Sequence, residues 1–384
     1  MLRAVAVAAA ARAVRPSPLT DNPDPACAVM NKKAVSLIAL GCLLGILITS
    51  GAVSLMSRPA SAGSAGERRP AATASAAAAS AGAQKVVLKL SHVLDRSHPV
   101  HLAMEYMARQ LDRRSRGAVE LQIFPDGQLG SEIEGIEQVQ RGELAMVKTS
   151  TAALEGFVPA MAIFGLPYLF RDQEHYWKVL FGEVGRDLAL AGAKAGVRGL
   201  CYYDSGSRSF YTKDAPILSP EDLEGKKIRV MQSKTAMDMI AHLGGEPAPI
   251  AFGELHAALQ QGKVDGAENN PPSLFTSRHF EVARHYALDE HARIPDIVLF
   301  SQKVWESLSP EVQRWIEEAA DESAAFQREA WKKSTEDALE ALKQAGVTVH
   351  TPDKRPFRRK VQPMYDRLSG SEIGMLVQRI QLLE

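Results

Sequence analysis

Cysteine is almost absent: three residues in 384, at Cys27, Cys42 and Cys201. Two of them lie in the N-terminal leader, so neither a disulfide framework nor a cysteine metal cluster can be assembled, and Cys201 reads as a small buried hydrophobe. Aromatic residues are scarce at 6%, and 45 basic side chains balance 45 acidic ones. A chain with no net field does not point to nucleic acid, and any anion it holds has to be gripped locally. The common catalytic signatures are missing as well. There is no Gly-x-Ser-x-Gly elbow, no His-Glu-x-x-His helix and no phosphate loop, and Gly206-Ser207-Arg208 has no obvious paired base in sequence. These absences argue against an enzyme, and nothing calls for a cofactor.

The leader does carry signals. Met30-Asn31-Lys32-Lys33 followed by the apolar run Ala34 to Met56 has the basic start and hydrophobic core of an export signal, with Ala60-Ser61-Ala62 as a small-residue cleavage site. Residues 30–62 are therefore expected to be a signal peptide or an uncleaved anchor, since an apolar run of about 20 residues is long enough to span a bilayer. Residues 1–29, rich in alanine and arginine, read as a non-native upstream extension, and Ala39-Leu40-Gly41-Cys42 is a poor lipoprotein site. Residues 63–84 are dominated by Ala and Ser, lack the bulky apolar groups that offset ordering entropy, and read as a tether. Export to the periplasm follows, with a membrane-anchored form as the alternative.

The remaining stretch of roughly 300 residues is more than one core usually organises, so two domains are expected. It opens with a strand, Val86 to His92. Ser97 as cap, Pro99 in the first turn, an apolar face of Leu102, Tyr106 and Leu111, and Gly117 as a stop then predict a helix. Val119 to Phe124 reads as a strand. Ser131 with Glu134 forms a capping box for a helix ending at Gly142, and Leu144 to Lys148 follows as a strand. A second series runs from the Ser219-Pro220-Glu221-Asp222 helix start through strands at Lys227–Met231, Pro247–Ile250 and Val264–Ala267, with helices between them. This alternation is that of α/β domains with doubly wound, largely parallel sheets. Ser309-Pro310-Glu311 starts a further helix in which Val312, Trp315, Ile316, Ala319, Ser323, Phe326 and Ala330 keep helical spacing toward Gly346. At about 35 residues it exceeds an ordinary globular helix and could lie across both domains.

Several motifs occur in a fixed order. They are Phe124-Pro125-Asp126-Gly127-Gln128-Leu129-Gly130, Leu166-Pro167-Tyr168-Leu169-Phe170-Arg171, Gly206-Ser207-Arg208, the run Pro220 to Val230, and Asp265-Gly266-Ala267-Glu268-Asn269. In this order and spacing the segment from Lys85 to about Tyr365 resembles the solute-binding proteins of tripartite ATP-independent periplasmic (TRAP) transporters, the C4-dicarboxylate-binding family. The resemblance implies a fold like type II periplasmic binding proteins: two α/β domains joined by hinge strands, a ligand cleft between them, and a long helix beneath both. On that basis residues 85–205 with 295–334 are expected to form one domain, 206–294 with 335–372 the other, and 373–384 a tail.

The resemblance also implies site residues. Arg229 matches the position that pairs bidentately with a ligand carboxylate, for which the planar guanidinium fork suits two oxygens where lysine offers a point charge. Arg208 matches a second cationic contact, Asn269 an amide donor to the same carboxylate, and Phe252 an aromatic cover. Gln232, three positions after Arg229, Ser150, His92, His98, Glu155 and the cluster Asp289-Glu290-His291 are candidates for hydroxyl contacts. Each also has an ordinary reading: a strand arginine pairs with surface carboxylates, and a lone histidine or phenylalanine is commonly core. Asp289 and His291 lack a third convincing metal ligand. Sialic-acid-binding relatives carry glutamate and arginine where this chain has Ser150 and Ala153, which disfavours that ligand. A bare dicarboxylate would profit from a second cation opposite Arg229, and Lys148 is the one candidate. A sugar acid such as a hexuronate or aldonate is accordingly preferred to succinate or malate, with a C4-dicarboxylate receptor or a solute-sensing adaptor as alternatives. The implied partners are a small carboxylate and membrane permease subunits, the receptor itself being a monomer.

Overall fold

The computed structural model describes residues 85–383; the expected signal, tether and upstream extension lie outside them. Eleven strands occur among the described residues: β1 (Val86–Ser91), β2 (Val119–Phe124), β3 (Met146–Ser150), β4 (Val197–Tyr203), β5 (Arg208–Thr212), β6 (Lys227–Val230), β7 (Glu246–Pro249), β8 (Gly266–Asn269), β9 (His285–Ala292), β10 (Asp296–Ser301) and β11 (Thr348–His350). They form a five-stranded sheet, β2-β1-β3-β10-β4, and a six-stranded sheet, β11-β9-β5-β8-β6-β7. Each sheet with its helices makes one lobe.

Both sheets are mixed rather than wholly parallel. β10 runs antiparallel to β3 and β4, and β5 runs antiparallel to β8 and β9. These strands belong to the two places where the chain passes directly between sheets, β4 to β5 through residues 204–207 and β9 to β10 through residues 293–295. A strand that enters a sheet straight from its neighbour has no helical crossover to turn it parallel. In sequence these strands are short runs with most residues buried, which do not betray their direction.

A helix beneath both lobes, Pro310–Gln344, spans 35 residues. Ser309 caps it, Pro310 occupies its first turn, and Ile316, Ala319, Ala320 and Ala324 are buried with the core of the first lobe. Near its other end Leu342 is buried in the core of the second lobe. The small alanines allow close packing against helix Pro99–Ser115, whose buried face is Val100, Met104, Met107 and Leu111. Leu102, expected on that face, is 41% exposed, and Tyr106 instead stacks on Phe326 at 4.7 Å. The cap of this helix is His98, one residue beyond the expected Ser97: its Nδ1 accepts from the Val100 amide at 3.3 Å.

The long helix also grips the first hinge linker. The Gln327 side-chain oxygen accepts from the Asp204 amide at 2.7 Å while its Nε2 donates to the Asp204 carbonyl at 2.8 Å. Two residues on, Gly206 adopts φ +58, and a Cβ there would stand 3.0 Å from the Trp331 indole nitrogen, so both backbone and space favour glycine. The residues expected as a C-terminal tail form helix Glu372–Gln381 instead. Val377 and Ile380 are buried against the first-lobe segment 159–165, and Arg171 donates to the carbonyls of Gln381 and Leu383 at 3.3 and 2.5 Å. Among the described residues no helix is long and apolar enough to cross a membrane.

Candidate ligand cleft

Between the lobes lies a cavity that is partly open to solvent. Its second-lobe wall is built on three adjacent strands, β5, β8 and β6. Arg229, in β6, is 2% exposed. Its Nε donates to the Ile250 carbonyl at 2.8 Å, its guanidinium lies 5.8 Å from the Phe252 ring centre, and its Nη1 is buried with no hydrogen-bond partner. Burial pushes its pKa down from the ordinary value, and the positive Arg208 acts in the same direction. A buried guanidinium with an unsatisfied N–H and no carboxylate of its own is a strong anion-seeking group.

Arg208, at the start of β5, is in the opposite condition. Its Nε and Nη2 donate to the two carboxylate oxygens of Glu268, the second at 2.9 Å, Nη2 also donates to the Glu268 carbonyl at 2.8 Å, and Nη1 donates to Asn269 Oδ1 at 2.9 Å. Four of the five guanidinium N–H groups are thereby engaged within the protein. Glu268 is itself enclosed. Burial would raise its carboxyl, but Arg208 and the neighbouring His291 outweigh that and hold it at about 2. Behind it, His291 Nδ1 lies 2.8 Å from Asp289 Oδ2 and Nε2 lies 3.5 Å from Glu268. Burial would lower the imidazole, yet the two carboxylates bring it up to about 9, so it is a cation at neutral pH. Asn269 lines the cavity; its Oδ1 accepts from Arg208 and from the Asn270 amide at 2.9 Å each, which leaves its Nδ2 as a donor.

The first-lobe wall is charged differently. Lys148, in β3, lies 3.0 Å from Asp296 Oδ2 and 3.9 Å from Glu132 Oε1, so this one lysine faces two carboxylates. Glu132 also accepts from the Ser150 amide at 2.9 Å. Burial pushes the Asp296 carboxyl up to about 6, with Lys148 pulling the other way and Glu132 adding to the rise. At the rim, His98 Nε2 meets Ser273 Oγ at 3.3 Å across the cleft. Burial, then Lys148, drive the pKa of His98 down to about 3, so it is a neutral polar contact.

The structure thus brings Arg229, Arg208, Asn269, Phe252, Ser150, His98 and Lys148 to one cavity and places Gln232, His92, Glu155, Asp289 and His291 elsewhere. Gln232 is exposed and points to no cavity contact. His92 is buried, hydrogen-bonded to His101 at 2.9 Å and accepting from the Leu94 amide at 3.1 Å, and burial takes its pKa down to about 2. Glu155 is occupied by the start of helix Lys234–Leu243. Asp289 and His291 are fully buried behind Glu268 rather than on the cavity surface. Among the described residues no three His, Cys, Asp or Glu side chains are grouped to hold a metal ion.

Glu132 and Asp296 were not singled out in sequence. Glu132 sits in the first turn after the Ser131 cap, where an acidic residue is ordinary helix chemistry. Asp296 did leave a signal: it is a carboxylate directly before the apolar run 297–300, at the start of the strand Asp296–Ser301, in which every position is buried.

Two α/β lobes, two crossing linkers, a shared long helix and an anion-seeking cleft define a two-lobed solute receptor. The model of the family described as bacterial extracellular solute-binding protein, family 7 (DctP), matches residues 90–371, and the chain belongs to this family, the solute-binding proteins of TRAP transporters. These are transport receptors, not enzymes. Among its relatives, the uncharacterized protein YiiZ of Salmonella typhimurium is 42% identical over 300 residues, 77% of this chain and 91% of the relative. A TRAP periplasmic solute-binding protein of Bradyrhizobium sp. in complex with D-galacturonate is similar at 40% identity and a TM-score of 0.75, covering 77% of this chain and 99% of that one. One from Roseobacter denitrificans with bound β-D-glucuronate shares 38% identity at a TM-score of 0.75, covering 78% of this chain and all of that one (100%).

Proposed function

We propose that this protein is a periplasmic receptor that captures a hexuronate and delivers it to the membrane permease of a TRAP transporter, working as a monomer. The observation that carries the ligand class is the charge asymmetry of the cavity: a guanidinium without a counter-ion at one wall, and Lys148 already matched against Asp296 and Glu132 at the other. A carboxylate seats on Arg229 with the Asn269 amide beside it. Sugar hydroxyls then donate to Asp296 and Glu132 and accept from Lys148, while Phe252 covers a ring face. The far carboxylate of succinate or malate would meet those two acidic groups instead, and like charges at close range cost affinity. The hexuronate complexes of similar receptors support the same reading.

The test is a thermal-shift screen followed by calorimetry with D-galacturonate, D-glucuronate, galactose, galacturonamide, succinate and malate. Galacturonate or glucuronate is expected to bind, with the neutral sugar and the amide failing, because each leaves Arg229 buried without an anion. Micromolar binding of succinate or malate, with no response to either hexuronate, would overturn the choice of ligand.

A further inference from the structure

We propose that Glu155 is a positioning residue that holds the two lobes in their closed arrangement without touching the ligand. It follows helix Thr151–Leu154 directly off the end of β3, in the first lobe. Its carboxylate reaches the other lobe, where Ser233 and Thr235 open helix Lys234–Leu243. One oxygen accepts from Ser233 Oγ at 2.5 Å, the other from Thr235 Oγ1 at 3.0 Å, and the Thr235 amide lies 3.2 and 3.3 Å from the two. An anion at the start of a ten-residue helix meets N–H groups that have no partner within the helix and the positive end of its dipole.

Every one of these contacts runs between lobes, and Glu155 is not among the residues lining the cavity. The lobes are also in close steric register at this point: a Cβ on Gly165 of the first lobe would come within 3.0 Å of the Thr235 methyl. The two halves of the contact ride on the strands that carry the cleft. Lys148 and Ser150 lie in β3, just before Glu155, and Arg229 lies in β6, just before Ser233. A ligand that draws β3 and β6 together therefore brings the carboxylate to its donors, and the formed contact slows reopening. Outward rotation of either lobe strips Glu155 of its donors and takes from the Thr235 amide this acceptor, leaving Ser233 as the cap of that helix.

The inference rests on the reading of this cleft as one that closes on a sugar acid, and the experiment separates the two. Nitroxide labels on R96C in the first lobe and E254C in the second report the lobe separation, and stopped-flow measurements with D-galacturonate report association and dissociation. For E155A, dissociation at least tenfold faster at an unchanged association rate is expected, with label distances shifted to longer values. E155Q, which keeps an acceptor oxygen, should fall between E155A and the wild type. T235V should reproduce part of the effect and be non-additive with E155A; T235V and E155Q carry the test if E155A fails to fold. Label distances and dissociation rates equal to wild type in these variants overturn the proposal. Should no sugar acid bind the wild type, the ligand reading fails, and the unliganded distances decide: a longer separation in E155A than in wild type upholds the role of Glu155, equal separations reject it.

Discussion

Arg208 and Arg229 approach one cavity from strands separated by β8 alone, and only Arg208 brings its own counter-ion. Arg208 is a structural cation locked to Glu268, whereas Arg229 is buried without a carboxylate. The same residue type in the same wall therefore answers differently to mutation and to ligand.

Arg229→Lys is expected to weaken hexuronate binding at least tenfold, about 1.4 kcal/mol, because an ammonium loses the planar two-pronged match to a carboxylate. Arg229→Met should abolish binding and raise the melting temperature of the unliganded protein, since it removes a buried charge that lacks a partner. Calorimetry and thermal unfolding of both variants check this pair of outcomes. An unliganded Arg229→Met protein that melts below the wild type would contradict the account.

Glu268→Gln should act in the opposite sense on stability. It leaves Arg208 charged and buried without its carboxylate, a loss on the order of 3–5 kcal/mol in comparable buried pairs. Denaturant unfolding measured without ligand is the appropriate readout, and a loss below about 1 kcal/mol would show the pair to be of little consequence.

Glu132→Gln and Asp296→Asn should shift selectivity. Each removes one of the two carboxylates facing Lys148, so succinate binding is expected to improve at least tenfold relative to galacturonate binding. Competition calorimetry of the two ligands measures that ratio. No change in the ratio for either variant would remove the acidic wall from the explanation of specificity.

Stability should peak near neutral pH. His92, His98 and His279 have pKa values depressed by burial from 6.5 to about 2, 3 and 3, so the unfolded chain binds more protons than the folded one as pH falls below 6.5, and stability drops. Glu268 adds to this loss as pH falls from 4.5 toward 2, while Asp296, raised from 3.8 to about 6, partly opposes it. On the alkaline side His291 decides. Its pKa is raised from 6.5 to about 9, so its contribution is complete below 6.5 and disappears as pH rises through 9. Melting temperatures between pH 4 and 9.5 should trace both limbs, and His291→Gln should flatten the alkaline one.

Local chemistry made much of the fold legible. The Ser131–Glu134 capping box is present as read, and the Ser309-Pro310 start and helical spacing led to the long helix. Strand direction was not legible, because β4, β5 and β10 gain their antiparallel pairing from the route between lobes and not from their own residues. The cleft was legible in part. Arg229, Arg208 and Asn269 sit in motifs whose order carries the family resemblance, whereas the acidic wall arises when β10 brings Asp296 into register with Ser150, beside Lys148, from a distant part of the chain. Glu155 illustrates a different loss: its sequence neighbours suggest a pocket carboxylate, and only the approach of another helix gives it an occupation.

The position of β10 has a temporal consequence. It lies between β3 and β4 in the first sheet, yet it comes after nearly the whole second sheet in the chain. The first lobe cannot acquire its central hydrogen-bonded ladder until residues 296–301 are available, however early β1 to β4 emerge. Assembly of the two lobes is therefore interlocked, with many long-range pairings that must form late, and folding is expected to be slow and dependent on nearly the full length of the chain. Truncation before Asp296 would leave β4 without a link to the β2-β1-β3 part of the first sheet, so a fragment carrying only the early strands should not refold as an independent unit.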